Sequence, residues 1–570
     1  MLRPLSATRL AARRTFPRHP ALRALATTPT RAASSKKPPM PLDMPREDYA
    51  EPAVYTLSII SRTFKYLIYG TLGLGVTAYA VFEGVHAYIE HVPLAPPSHA
   101  AEGDAYAWAD ENQAWTGGAR GGTDPALGWR GRHALRGAWL CWEWGAGDAN
   151  STIARHPHGK QGMISYSKKG ALSVDRGYEL AEEYIDAAIR VAEKKGMVFP
   201  PGLPYSPDEM RAHTDASPEP GTPDATALDL LTLKAGLLER MGEDTLDHAR
   251  ELYARVAGAY KHTEGAVMGA RAMRLAHKLG DLAQRAGETD VAWRWWNWGL
   301  ERAGMRLPPL KSEEERGSSW WPFGSSTPSE ATTMDVPATA LATPLRRAAV
   351  SILVSASAAS AQAGALPTSA AVQAAGLSLL PATTPSTPQA GESAAGLQEL
   401  WDAQRHALFT LHSASVTHAQ DKNAQGKNAK GKNASALDLA AQSADESEAV
   451  LAVLNPTLPA ALSKPKSNPC TQPAKRLVRD TLTTGAEAYY TLGVLVERSA
   501  DKGKDKDTDT LHRLEHAAES FERAMSLSAA EEGEDDGRGR GRGRGDWARQ
   551  RVDAILEGIC ARAGPGRATY

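Results

Sequence analysis

Cysteine is nearly absent: Cys141, Cys470 and Cys560 are the only three in 570 residues. They stand far apart, without a CxxC pair or an even-numbered framework, so neither a zinc ribbon nor a disulfide-stapled fold is encoded. A P-loop, a dinucleotide-binding glycine pattern, HExxH and a GxSxG elbow are also missing. The common phosphate, hydride and hydrolase scaffolds are therefore not signalled, and the chain reads as a non-enzyme with no metal or cofactor. His156 and His158 flank Pro157 with no third ligand in frame. The formal charge of −1 lacks the basic excess of a nucleic-acid-binding body. Arg538, Arg540, Arg542 and Arg544 alternate with glycine, but Glu531, Glu532, Glu534, Asp535 and Asp536 precede and neutralise them. No nucleic-acid partner is expected.

Acid is missing from residues 1–42, where Arg3, Arg9, Arg13, Arg14, Arg18, Arg23 and Arg31 are interleaved with Leu, Ala, Ser and Thr. That is the composition of a mitochondrial presequence, although a basic tail without structure would share it. Charge is missing again from residues 66–82, and continuing to Tyr88 adds only Glu83 and His86. With flanks, residues 62–90 read as one transmembrane helix in a lipid bilayer; a short core helix is the alternative. Gly70, Gly73 and Gly75, with Thr71, are poor helix formers in water but present a small-residue face for helix packing in lipid. Arg62 and Lys65 precede the segment, while Glu83 and Glu90 follow it. For a protein imported to the matrix, that asymmetry predicts a single-pass inner-membrane protein with its large domain in the intermembrane space.

Beyond the span, residues 104–304 predict a Trp-rich leading segment followed by tetratricopeptide-like repeats. In residues 270–304, Ala276, Leu279, Gly280, Ala283, Gly287, Ala292, Trp296 and Gly299 occupy the packing positions of such a helical hairpin in order. A second copy carries Leu231, Ala235, Leu238, Gly242, Ala249, Tyr253 and Val256. A third, in residues 476–565, carries Tyr489, Leu492, Gly493, Val496, Ala517, Phe521 and Ala524, its turn lengthened by a charged insert at 500–510. Residues 177–195 show second-helix spacing, with 127–144 as their partner. Tryptophans between 108 and 144 would either cap the first repeat or form a docking surface. Residues 305–475 break the rhythm: 345–361 and 397–413 look helical, but the intervening Pro/Ser/Thr/Ala runs and the Lys/Asn/Gly/Gln stretch 421–435 read as disordered insertions. The predicted fold is all-α: one N-terminal transmembrane helix, then degenerate tetratricopeptide-like repeats interrupted by such insertions.

The presequence, the span running into YAVFEGVHAYIEH at 79–91, the Trp-rich segment and the degenerate repeats together resemble the fungal adaptor subunit of the mitochondrial i-AAA protease supercomplex. The resemblance implies a non-catalytic protein that binds unfolded or misassembled proteins and a membrane-embedded ATP-dependent protease. A repeat scaffold for another inner-membrane complex, or an outer-membrane receptor, would use similar parts. Positions turned away from the hairpin interface of each first helix are the peptide-binding candidates: Arg274, His277, Asp281, Gln284 and Arg285; Asp229, Thr232, Glu239 and Arg240; Glu487, Tyr490, Glu497 and Arg498. The same positions would equally serve as a solvated face.

Overall fold

The computed structural model of the chain describes residues 50–95, 106–111, 115–118, 121–145, 176–201, 206–212, 223–261, 265–310, 334, 340–381, 394–423, 432–463, 470–502 and 507–534. The presequence at 1–42, the His156/His158 pair and the Arg/Gly tract lie outside them. The described residues form fourteen α-helices and short 3-10 turns, with no strand. Two compact units divide the chain, Met1–Thr77 and Ala78–Tyr570.

Helix α1, Ala50–His91, begins in the first unit. It is long and apolar enough to cross a membrane. Val54, Leu57, Ile60, Phe64, Leu67, Leu72 and Leu74 are all exposed. An apolar surface on every side of a helix is unstable in water and stable in hydrocarbon. A Cβ at Gly70, Gly73 or Gly75 would meet nothing, and the Thr71 hydroxyl donates back to Leu67 O at 2.7 Å.

The second unit begins with the last turns of α1, which pack on α2, Gly128–Trp144. Ile89, Leu94 and Trp139 form a small core there, with Val85 against it. Buried Glu90 accepts from Arg132 Nη2 at 2.8 Å, Arg136 Nε at 2.7 Å, Thr123 N at 3.0 Å and Thr123 Oγ1 at 2.8 Å. Sequence includes His86 and Tyr88 in the transmembrane helix; His86 is instead buried against Phe82 and His133, at ring separations of 4.4 and 4.5 Å. The apolar span therefore ends near Phe82, and the turns after it belong to the helical array.

Helical hairpins follow one another along the rest of the unit: α2 with α3 (Arg176–Lys194), α5 (Ala225–Met241) with α6 (Leu246–Ala259), and α7 (Ala266–Arg285) with α8 (Thr289–Glu301). Next come α9 (Thr343–Gln362) with α10 (Leu366–Leu379), α11 (Ala394–Asn423) with α12 (Lys432–Ser463), and α13 (Thr471–Lys502) with α14 (Asp507–Glu534). A short α4, Pro207–Ala212, leans on α8. Each hairpin buries its apolar stripe on its neighbours, so the core is a chain of overlapping clusters rather than one centre.

The hairpins close through small residues. Ala276, Leu279, Ala283, Ala292 and Trp296 are at most 2% exposed, and a Cβ at Gly280 would strike the Trp296 indole. Gly287 makes the turn at φ +78°, with Glu288 N reaching back to Ala283 O at 2.9 Å. Gly493 meets Phe521 in the same way, its hypothetical Cβ 2.9 Å from the ring. Leu231, Ala235, Leu238, Ala249, Tyr253 and Val256 pack as their spacing predicts, and residues 177–195 do pair with α2.

The expectation of disordered insertions across 305–475 does not hold for Leu366–Leu379 or Lys432–Ser463, which are helices, packed over 366–379 and 435–454, and the helices foreseen at 345–361 and 397–413 extend beyond those bounds. Alanine and serine here build close-packed helices instead of solvated chain. Ser360 Oγ donates to Ala356 O at 2.8 Å, Ser369 Oγ to Ser357 O at 2.8 Å, and Ser443 Oγ to Ala407 O at 2.7 Å, so their burial leaves no orphan hydroxyl. Gly376 lets the Phe409 ring approach α10 directly.

Candidate functional site

First helices of consecutive hairpins, α7, α9, α11 and α13, lie side by side and surround a cavity of about 210 Å³. Arginine lines it from every one of them: Arg274, Arg347, Arg405 and Arg476. The remaining side of the cavity belongs to no hairpin. Trp108 and Glu111 line it from a six-residue segment, 106–111, that joins no hairpin and has only one turn of 3-10 helix, Ala109–Glu111.

This segment is held mainly by main-chain contacts and two acids. Arg347 Nη2 donates to Tyr106 O at 2.6 Å, Arg274 Nη2 to Asp110 O at 3.1 Å, and Arg476 Nη1 to Glu111 O at 3.1 Å. Asp110 pairs with Arg271 at 2.6 Å and Glu111 with Arg347 Nε at 2.6 Å. Trp108 is 1% exposed; its Nε1 donates to Ala394 O at 3.1 Å, and the Arg347 guanidinium lies 3.8 Å from its ring centroid. Ala107 takes a left-handed backbone at φ +53°, which costs a non-glycine residue and is sustained by the contacts on either side.

Burial pushes Arg274 below its ordinary pKa, opposed by Glu111 and Asp110 and reinforced by Arg271 and Arg347. Arg476 is also lowered by burial, against Glu111 and Asp480. For Arg271 burial acts downward too, but the Asp110 hydrogen bond and charge outweigh it and raise the value. The face is thus a crowded row of guanidiniums in partial desolvation, for which the segment's two carboxylates supply compensation. Arg405 is paired instead with Asp480 at 2.7 Å. Arg274 Nη1 and Arg405 Nε are buried without a hydrogen-bond partner.

Of the sequence candidates, Arg274 and His277 line this cavity. His277 contacts Ser355 Oγ on α9 at 2.9 Å and Asp281 at 3.3 Å, and burial lowers its pKa. Asp229 is half-buried, its carboxyl pushed up to about 6 by burial, against the attraction of Arg271. Thr232, Arg240, Arg285 and Arg498 are exposed, as their positions predict, but most of the others are tied to neighbours. Glu239 pairs with Lys278 at 3.0 Å and Arg285 at 3.5 Å, Arg240 sits 4.6 Å over the Trp142 ring, and Thr232 Oγ1 donates to Leu228 O. Gln284 Oε1 is buried without a partner. Tyr490 does not turn away from its hairpin: its ring lies 5.5 Å from Phe521, between α13 and α14. Arg498 donates to His418 at 2.8 Å, while Glu487 and Glu497 are half-buried on α13.

The tryptophans divide between roles. Trp139 and Trp142 pack internally, Trp129 and Trp144 are exposed, and Trp108 is buried against later hairpins, which neither a cap on the first repeat nor a surface patch describes. Sequence reasoning passed over Arg271, Arg347, Arg405, Arg476, Asp110 and Glu111. One signal was available: Arg346 and Arg347 are the only charges in the otherwise uncharged α9. Among the described residues no cluster of His, Cys, Asp or Glu is arranged to hold a metal. Compared with known proteins, the chain matches no family model and no curated protein.

Proposed function

We propose that this protein is a non-catalytic adaptor of the mitochondrial inner membrane. Its array holds segments of unfolded or misassembled proteins, and its apolar helix associates with a membrane-embedded ATP-dependent protease that unfolds and cleaves them. The observation that carries the reading is the grip of α7, α9 and α13 on a short segment outside the hairpins through main-chain oxygens. Main-chain recognition accepts many sequences, as a quality-control substrate site must.

Further support comes from the sequence. The acid-free, arginine-containing N-terminus suits import, and the charge asymmetry around the span suits an array in the intermembrane space. We read hairpins α5/α6, α7/α8 and α13/α14 as degenerate tetratricopeptide repeats, on the strength of the small-residue contacts of Gly280 with Trp296 and Gly493 with Phe521. In this reading no side chain of the chain performs chemistry; it orients a substrate and raises its local concentration.

The test is purification of the full-length protein from mitochondrial membranes in mild detergent. An adaptor brings down an AAA protease. Recovery of respiratory-chain or lipid-metabolism subunits without any protease would replace the adaptor with an assembly scaffold.

A further inference from the structure

Segment 106–111 lies on the arginine-lined face as a ligand would. It is extended apart from one tight turn, it buries a single aromatic anchor, and four arginines from three helices of the array engage its main chain or carboxylates. The contacts span 161 residues for Arg271 with Asp110 and 236 for Arg347 with Glu111, so the segment is seated by tertiary contacts and not by chain proximity.

Charge decides what else could sit there. If the segment leaves, Asp110 and Glu111 leave with it, and Arg271, Arg274, Arg347 and Arg476 face one another with the nearby Asp480 already paired to Arg405. Asp480 and Asp229 still act on Arg476 and Arg271, but partly buried guanidiniums that lose two counter-charges are costly, so the emptied face favours acid. The cavity beside Glu111, with Arg274 Nη1 and Arg405 Nε unbonded, has room for more.

We propose that this face binds, in trans, peptide segments in which an aromatic residue is followed by acidic residues, and that residues 106–111 are its tethered occupant, displaced by such peptides. The proposal rests on reading the array as a peptide-holding domain and adds the class of peptide and its regulation. A tethered occupant competes at high effective concentration, so only peptides of matching chemistry, or a partner that draws the segment away, open the face.

The probe is an end-blocked, fluorescein-labelled hexapeptide Tyr-Ala-Trp-Ala-Asp-Glu, titrated by anisotropy against the full chain in detergent micelles. A second probe replaces its two acids by lysine. In the isosteric double variant Asp110→Asn, Glu111→Gln, both charged ties of the tethered segment are lost while its volume is kept. The variant should bind the acidic probe about tenfold or more tighter than the unaltered chain, because apparent affinity scales with the fraction of open face. Adding Arg476→Gln to it should reverse most of that gain, and the lysine probe should bind neither protein. Trp108→Ala should act in the same direction where circular dichroism shows it folded; the isosteric variant carries the test where it is not.

Equal affinity of the folded double variant and the unaltered chain for the acidic probe, or equal binding of the two probes, overturns the proposal. Co-purification of the protease, measured on the same double variant, separates the two readings. Protease recovery without peptide binding removes this site and leaves the adaptor standing; peptide binding without any protease does the opposite.

Discussion

At Gly280 the side chain is absent because the Trp296 indole occupies its place. The hairpin α7/α8 depends on that exchange, a hydrogen on one helix for an indole on the other, with Ala276 and Ala283 beside it at 0% exposure. Trp296→Ala should lower stability by about 3–5 kcal/mol, read as a shift in urea midpoint, because a fully buried aromatic leaves a cavity its neighbours only partly fill. Asp229 offers a pH test. Its carboxyl, ordinarily near 3.8, is pushed up to about 6 by burial. Between those values the unfolded chain has released the proton and the folded chain retains it, so stability falls as pH rises and the loss is complete above about 6. Asp229→Asn should therefore be more stable than the unaltered chain at pH 7, by about 1–3 kcal/mol, with the difference shrinking towards pH 4. Urea melts at both pH values check it; a difference independent of pH would mean that Asp229 is ionised in the folded chain throughout.

Among the elements, legibility followed side-chain contrast. Helices α5 to α8 alternate large apolar, small and charged residues, and their pairing and packing positions could be read directly from spacing. Helices α10 and α12 could not, because their burial rests on alanine, serine and glycine, which read as low-complexity chain until a partner such as Phe409 fills the space they leave. The same small residues carry a different meaning in α1, where Gly70, Gly73 and Gly75 meet nothing among the described residues and are open to a second helix. Gly75→Leu should leave the protein resistant to carbonate extraction, since hydrophobicity rises, while weakening recovery of the proposed membrane partner. Unchanged recovery would reduce that face to anchoring.

For the whole molecule, orientation in the membrane is the decisive test. In the proposed topology, with Arg62 and Lys65 on the matrix side, protease added to mitoplasts should degrade the region after α1, and full protection would reverse it. Sequence alone determined what depends on local pattern: a helical chain, one apolar span, and the small-residue positions at which hairpins close, because helical periodicity and side-chain volume act within a few turns. It did not determine which arginines share a face or what lies on it. Arg274, Arg347, Arg405 and Arg476 come from four helices at irregular spacing, and Glu111 meets Arg476 across 365 residues. No local energy links such positions. They converge because stacking of hairpins brings first helices side by side, and the charge so concentrated is compensated by an acidic segment from the beginning of the array.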